Sequence, residues 1–188
     1  MKILIYTVIV IAAVQPVVAN SDQKMTFQEF ARTIASISES ISDTPDASVL
    51  RTRNDFRELC KNAQDYRTMA LRLLTENVPS RQKYIAVYAM QNLNLDDYVL
   101  FLNELLGRTR DKKVEADWLE SALMPGFEWN TKLQTNWKSP AVRDLIEKIK
   151  ASRSLPPRCD QYLDDIISGR GAEYVKQMRL DGELPDDQ

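Results

Sequence analysis

Apolar residues recur three and four positions apart along almost the whole chain, and this spacing constrains the fold more than any other feature. One stripe of a helix is formed by Phe27, Phe30, Ile34, Ile37 and Ile41. No segment shows the sustained alternation of apolar and polar residues that a half-buried strand requires. The sequence therefore predicts an all-α protein.

Turn-forming residues divide this pattern into about seven or eight amphipathic helices. These are expected near residues 27–41, 49–76, 80–93, 95–106, 112–124, 139–149, 160–168 and 172–180. Thr26 and Glu29 have the spacing of a capping box at the start of the first helix. Gly107 is expected to end the fourth helix, because glycine is the usual residue just beyond a helix C-terminus.

Two segments resemble parts of HEAT-type helical repeats. The segment from Arg81 to Gly107 resembles one helical hairpin of such a repeat, and the segment from Ser139 to Leu145 resembles the opening of another helix. The resemblance covers about a third of the chain, and no second copy follows at a period of about 40 residues. A single compact domain is expected, built as a helical bundle or as a short stack of helical hairpins.

The N-terminus has the three-part layout of a secretory signal peptide. Lys2 provides a positive start, an apolar run follows from Ile3 to Val14, and Val17 and Ala19 place small residues before a cut at Asn20. The run is shorter than the roughly 20 residues of a membrane span, although an uncleaved anchor is the alternative. We expect residues 1–19 to be removed and the mature protein to be periplasmic, with secretion as the alternative.

The remaining chain is expected to form one helical domain over residues 20–182 and a flexible acidic tail over 183–188. In the whole sequence, 25 Lys and Arg residues nearly balance 27 Asp and Glu residues. This balance argues against a nucleic-acid partner, because such proteins carry a basic excess. No later apolar segment is long enough to span a bilayer, so we expect no stable membrane insertion after signal cleavage.

The chain contains two cysteines, Cys60 and Cys159. In an oxidising compartment an even pair usually closes, so the sequence predicts a disulfide between them. Two buried thiols are the alternative. A redox-active role is not expected, because the Cys-x-x-Cys spacing is absent.

The sequence lacks the residues on which most enzyme sites depend. It contains no histidine, which removes the commonest general base and the commonest ligand of zinc. It has no glycine-rich phosphate loop, and its carboxylate groups have the distribution of solvated helix surfaces. We therefore expect no enzymatic activity, no catalytic residues, no metal and no cofactor.

The most aromatic part of the chain follows Met124 and is bounded by helix-breaking residues. It contains Phe127, Trp129 and Trp137, while Tyr84 and Tyr88 stand one turn apart on the third predicted helix. Aromatic residues dominate interface hot spots, so these five are candidate partner-binding residues. The alternative is that their rings pin a long loop onto the core.

Three classes of function remain. A small exported helical domain without catalytic groups is similar in general character to periplasmic immunity proteins, which neutralise toxin effectors. The first expectation is therefore a protein-binding inhibitor of this kind, whose partner is another protein. A structural adaptor of the bacterial envelope is the alternative, and an enzyme that uses carboxylates alone comes last.

Overall fold

The fold consists of helices joined by turns. A computed structural model describes residues 25–41, 47–123, 131–156 and 158–181, and no strand occurs within these ranges. The prediction of an all-α protein is confirmed. None of the helices described is both long and apolar enough to cross a membrane. The helices are α1 (Phe27–Glu39), α2 (Ala47–Thr52), α3 (Asn54–Lys61), α4 (Ala63–Leu73), α5 (Ser80–Met90), α6 (Leu95–Arg110), α7 (Ala116–Leu123), α8 (Thr131–Thr135), α9 (Pro140–Ser152), α10 (Arg158–Ser168) and α11 (Arg170–Leu180).

The described residues contain 11 helices, more than the seven or eight that the sequence predicts. Part of the difference lies in residues 49–76, which form three helices where one is expected. Arg53 adopts an extended conformation between α2 and α3, and its side chain binds Asp55. Asn62 separates α3 from α4, and its side-chain amide donates to the carbonyl of Glu58 at 2.9 Å. Such local side-chain hydrogen bonds compete with the backbone hydrogen bonds that continue a helix.

The ends of the helices agree with the sequence pattern in one case and differ in another. The Thr26 and Glu29 capping box is present, with the Thr26 N–H donating to the Glu29 carboxylate at 2.8 Å. These hydrogen bonds from Thr26 lower the pKa of Glu29. The expected stop at Gly107 is wrong, because α6 continues to Arg110. Its last turn carries basic side chains, which the negative end of a helix dipole favours.

Helix α5 lies at the centre of the protein. Every residue from Ile85 to Met90 is buried, and the helix packs against α1, α3, α4 and α7. A helix covered on all sides must be apolar around its circumference and not along one stripe. The hydrophobic core around it is continuous and receives residues from every helix between α1 and α10.

Two buried tyrosines bind the C-terminal end of α7. The hydroxyl of Tyr98, on α6, donates to the carbonyl of Ala122, and the hydroxyl of Tyr162, on α10, donates to the carbonyl of Leu123 at 3.1 Å. The last carbonyls of a helix have no partner within the helix, so these bonds satisfy buried acceptors. Burial also raises the pKa of Tyr162.

The predicted disulfide between Cys60 and Cys159 is not formed in the structure. Cys60 lies in the last turn of α3, which packs against α1, α2, α4 and α5. Cys159 lies in the first turn of α10, which packs against α8, α9 and α11. The two residues belong to different sets of packed helices, and an even number of cysteines carries no information about the distance between them.

Candidate functional site: a basic groove beside stacked aromatic rings

A groove with a volume of about 450 Å³ opens between α2, α3, α5 and α8. We call it the basic groove, because four of the side chains that line it are positively charged. None of the described lining residues is Asp or Glu. The lining residues are Arg51, Phe56, Arg57, Cys60, Lys61, Tyr88, Gln91, Asn92, Thr131 and Lys132.

Arg57 is held in place by the backbone at the end of α2. Its Nε donates to the carbonyl of Arg51 at 3.0 Å, and its Nη2 donates to the carbonyl of Thr52 at 2.8 Å. Both carbonyls lie at a helix C-terminus, where acceptors lack helical partners. One turn further along α3, Lys61 forms an exposed ion pair with Glu58, at 2.7 Å between Nζ and Oε1. Arg57 is fixed by neutral acceptors, so its full charge remains in the groove.

Stacked aromatic rings form the wall on the α5 side. The ring centroids of Phe56 and Tyr88 lie 5.7 Å apart, and those of Tyr84 and Tyr88 lie 6.0 Å apart with the planes nearly parallel. The guanidinium carbon of Arg51 lies 5.9 Å from the centroid of Tyr88, within the range of a cation–π contact. Tyr88 is buried and Tyr84 is half-buried. Of the five predicted binding residues, the structure thus places Tyr88 in the wall of the groove, while Tyr84 stacks on Tyr88 and is not among the lining residues.

Lys132 reaches from α8 to the C-terminal end of α5. Its ammonium donates to the carbonyl of Gln91 at 2.8 Å and also to the carbonyl of Leu93. The same ammonium lies 5.4 Å from the ring centroid of Tyr98. Burial lowers the pKa of Lys132, while the carbonyls at a helix C-terminus favour a cation. Lys132 therefore joins the wall of the groove to the central helix.

The polar groups beside these cations are suited to binding more than to bond-making chemistry. Burial raises the pKa of the Cys60 thiol to about 11, although the charge of Arg51 opposes the shift. At neutral pH the thiol is protonated and is a poor nucleophile. The side-chain Nε2 of Gln91 is a buried donor without a hydrogen-bond partner in the described protein. A buried N–H donor without a partner, placed among cations, favours a ligand that presents an oxygen acceptor.

The other aromatic candidates do not line this groove among the described residues. Trp137 is half-buried against the core and packs on Gly169, at the junction of α10 and α11. The Lys138 ammonium lies 5.2 Å from its ring centroid. Phe127 and Trp129 lie outside the described residues, as do the predicted signal peptide and the acidic tail.

In the sequence, acidic residues flank the arginines at 51, 53 and 57, and this pattern favours solvated helix ends over phosphate sites. Arg53 pairs with Asp55 at 2.6 Å. Arg57 is exposed and lines the groove. Lys132 was missed entirely, because nothing local indicates that it reaches α5. The i, i+4 spacing of Arg57 and Lys61 on one face of α3 was the signal that could have indicated a shared surface.

Two carboxylate groups of α10 are engaged in ion pairs. Asp164 pairs with Lys150 of α9, and Asp165 pairs with Arg170 at 2.8 Å. In the ranges that the structure describes, no three His, Cys, Asp or Glu side chains are grouped as metal ligands would be.

Comparison with known proteins gives no relative from which a function could be transferred. No family model matches the chain, and no curated protein or solved structure matches it significantly. A function for this chain is therefore inferred from its own sequence and geometry.

Proposed function

We propose that this chain is an exported, periplasmic binding protein that inhibits another protein, as an immunity protein neutralises a toxin effector in the bacterial envelope. The N-terminal layout of residues 1–19 supports export. The basic groove supports binding, and it is the observation that carries the proposal. Its partner would be a protein, held without turnover and without a cofactor.

The composition of the groove favours a protein interface. Arg and Tyr are enriched at hot spots, and here Arg51 is placed over Tyr88 while Arg57 is fixed beside it. Side chains that are already ordered lose little entropy when a partner binds. Two backbone carbonyls hold the Arg57 guanidinium in place, and stacking holds the aromatic rings in place. Such a surface suits inhibition, which requires long occupancy of the partner.

The arrangement of helices fits this role. We propose a compact bundle around α5 and not a stack of HEAT-type hairpins, because α5 is buried between helices from both halves of the chain. A bundle of this kind gives a rigid support for α2, α3 and α8, which carry the cations of the groove.

The experiment is a competition between a deletion strain and its parent under toxin-producing conditions. We expect the deletion strain to be lost and the wild-type gene to restore its survival. Lys61→Glu should reduce the restored survival by about tenfold or more, because it reverses a charge at an interface. Lys61 is exposed, so this change should leave the fold intact. Arg143→Glu is the matched control, since Arg143 is exposed on α9, away from the groove.

Two results would contradict the proposal. If the deletion strain competes as well as its parent, the immunity role is wrong. If Lys61→Glu and Arg143→Glu both restore survival fully, the groove is not the contact surface. Envelope defects in the deletion strain without any competitor would instead indicate the structural adaptor.

A further inference from the structure

We infer that the basic groove receives an acidic segment of the partner protein, with a carboxylate of that segment against Arg57. This inference rests on the proposed function and specifies the chemistry of the partner.

The Arg57 guanidinium has N–H groups that remain available to a ligand. Its two hydrogen bonds to carbonyls at the end of α2 use only part of the guanidinium, which carries further N–H groups. No described carboxylate forms an ion pair with it, whereas its neighbours Arg53 and Lys61 each have one. A carboxylate is the acceptor for which guanidinium geometry is best suited. The fixed position means that little ordering is needed when the carboxylate arrives.

The surroundings of Arg57 add further attraction for a carboxylate. Arg51, Lys61 and Lys132 place further basic side chains in the same wall, and Lys61 is also paired with Glu58. The unpartnered Nε2 donor of Gln91 lies in this wall as well. Binding a negatively charged group here would offset the mutual repulsion of these cations, and binding a neutral group would not.

The shape and the total charge of the protein favour a protein segment over other polyanions. The groove has a volume of about 450 Å³, which accommodates a few side chains. The whole chain has a formal net charge of −2, so the positive region is local. Nucleic acids and anionic bilayers present charge over extended surfaces and require an extended basic face. The rings of Phe56 and Tyr88 close the groove on its inner side, and both are almost fully buried.

The test measures the binding of a fluorescein-labelled peptide of alternating glutamate and leucine to the mature full-length protein, by fluorescence anisotropy. A peptide with glutamine in place of glutamate is the matched probe. We expect the glutamate peptide to bind about tenfold or more tightly than the glutamine peptide, and added salt to weaken it. Lys61→Glu and Arg57→Gln should each weaken binding, and Arg143→Glu should leave it unchanged. Two groove variants are measured so that a folding defect in one of them does not decide the result.

Several outcomes would overturn the inference. These are equal binding of the two peptides, equal weakening by the Arg143 control, and absence of binding. Displacement of the peptide by inorganic phosphate or by phosphatidylglycerol vesicles, at concentrations where sodium chloride of equal ionic strength has no effect, would assign the groove to those anions. If the competition experiment succeeds while the peptide result is negative, only the acidic occupant is wrong. If the competition experiment fails, the proposed function is wrong whichever peptide binds.

Discussion

Single residues determine the chemistry of the groove, and the protonated state of Cys60 is an example. The thiol is half-buried at the end of α3, and burial raises its pKa to about 11. The groove is therefore a cationic surface with a neutral thiol in its wall. Cys159 is buried at the start of α10, and no disulfide joins it to Cys60 in the structure.

The cysteines provide the first residue-scale prediction. Protein purified without reductant, then unfolded and treated with iodoacetamide, should gain two adducts in its intact mass. In the folded protein Cys60 should react slowly at neutral pH and faster as the pH approaches 11, because the thiolate is the nucleophile. An unlabelled mass that changes only after reduction would show that Cys60 and Cys159 are joined.

Tyr162 provides a prediction about pH. Burial raises its pKa in the folded protein, while the unfolded chain releases the proton near the ordinary value of 10.0. Its contribution to the free energy of unfolding is therefore complete below pH 10 and declines as the pH rises further. Tyr162→Phe should cost about 1 kcal/mol at neutral pH, through the lost bond to Leu123, and should make stability less sensitive to alkali.

The measurement is urea unfolding of both proteins at neutral and alkaline pH. Tyr174→Phe is the matched control, because Tyr174 is 48% exposed on α11. If wild type and Tyr162→Phe lose stability in parallel above pH 10, the buried phenol is not the group that responds.

At the scale of elements, side chains from one helix repeatedly bind the C-terminal carbonyls of another. The Arg81 guanidinium, on α5, donates to the carbonyl of Ser38 in the last turn of α1 and to the carbonyl of Ile41 just beyond that helix. Lys132 does the same for α5, and Tyr162 does so for α7. These bonds satisfy carbonyls that the helices cannot satisfy themselves. They also fix the angles at which short helices meet.

The junction of α10 and α11 provides a prediction at this scale. Gly169 has a φ of +80°, and a Cβ at this position would lie 2.9 Å from ring carbons of Trp137. Gly169→Ala should lower the free energy of unfolding by about 2 kcal/mol or more, through left-handed strain and overlap with the ring. Chemical denaturation measures the change.

Gly107→Ala is the control for that substitution. Gly107 lies within α6, and a Cβ there would meet nothing within 4 Å. This change should raise stability by roughly 0.5–1 kcal/mol, because glycine is costly inside a helix. Equal effects of the two substitutions would mean that Trp137 does not pack against the junction as the structure shows.

The helical class and the first helix cap could be predicted from the sequence, because both depend on residues close together in the chain. The spacing of Phe30, Ile34 and Ile37 is sufficient to place them on one buried face. The break at Asn62 could not be predicted, since one side-chain hydrogen bond decides it. For Trp137, the sequence left core and interface open, and the structure packs it on Gly169.

At the scale of the whole molecule, the groove could not be predicted because its parts are distant in sequence. Arg57 and Lys61 come from α3, Tyr88 comes from α5, and Lys132 comes from α8. Local patterns identify helices and the residues on each face, but they do not identify which faces meet. The groove forms only where α8 lies against the C-terminal end of α5.

The burial of α5 has a consequence for how partner choice could change over generations of mutation. Tyr88 is 3% exposed within the core, so a substitution there would disturb the central helix and lower stability. Arg57 and Lys61 are exposed on α3, where most substitutions are tolerated. New specificities should therefore accumulate on the α3 side while the α5 side is retained, and a variant library restricted to α3 should yield more folded binders than one restricted to α5.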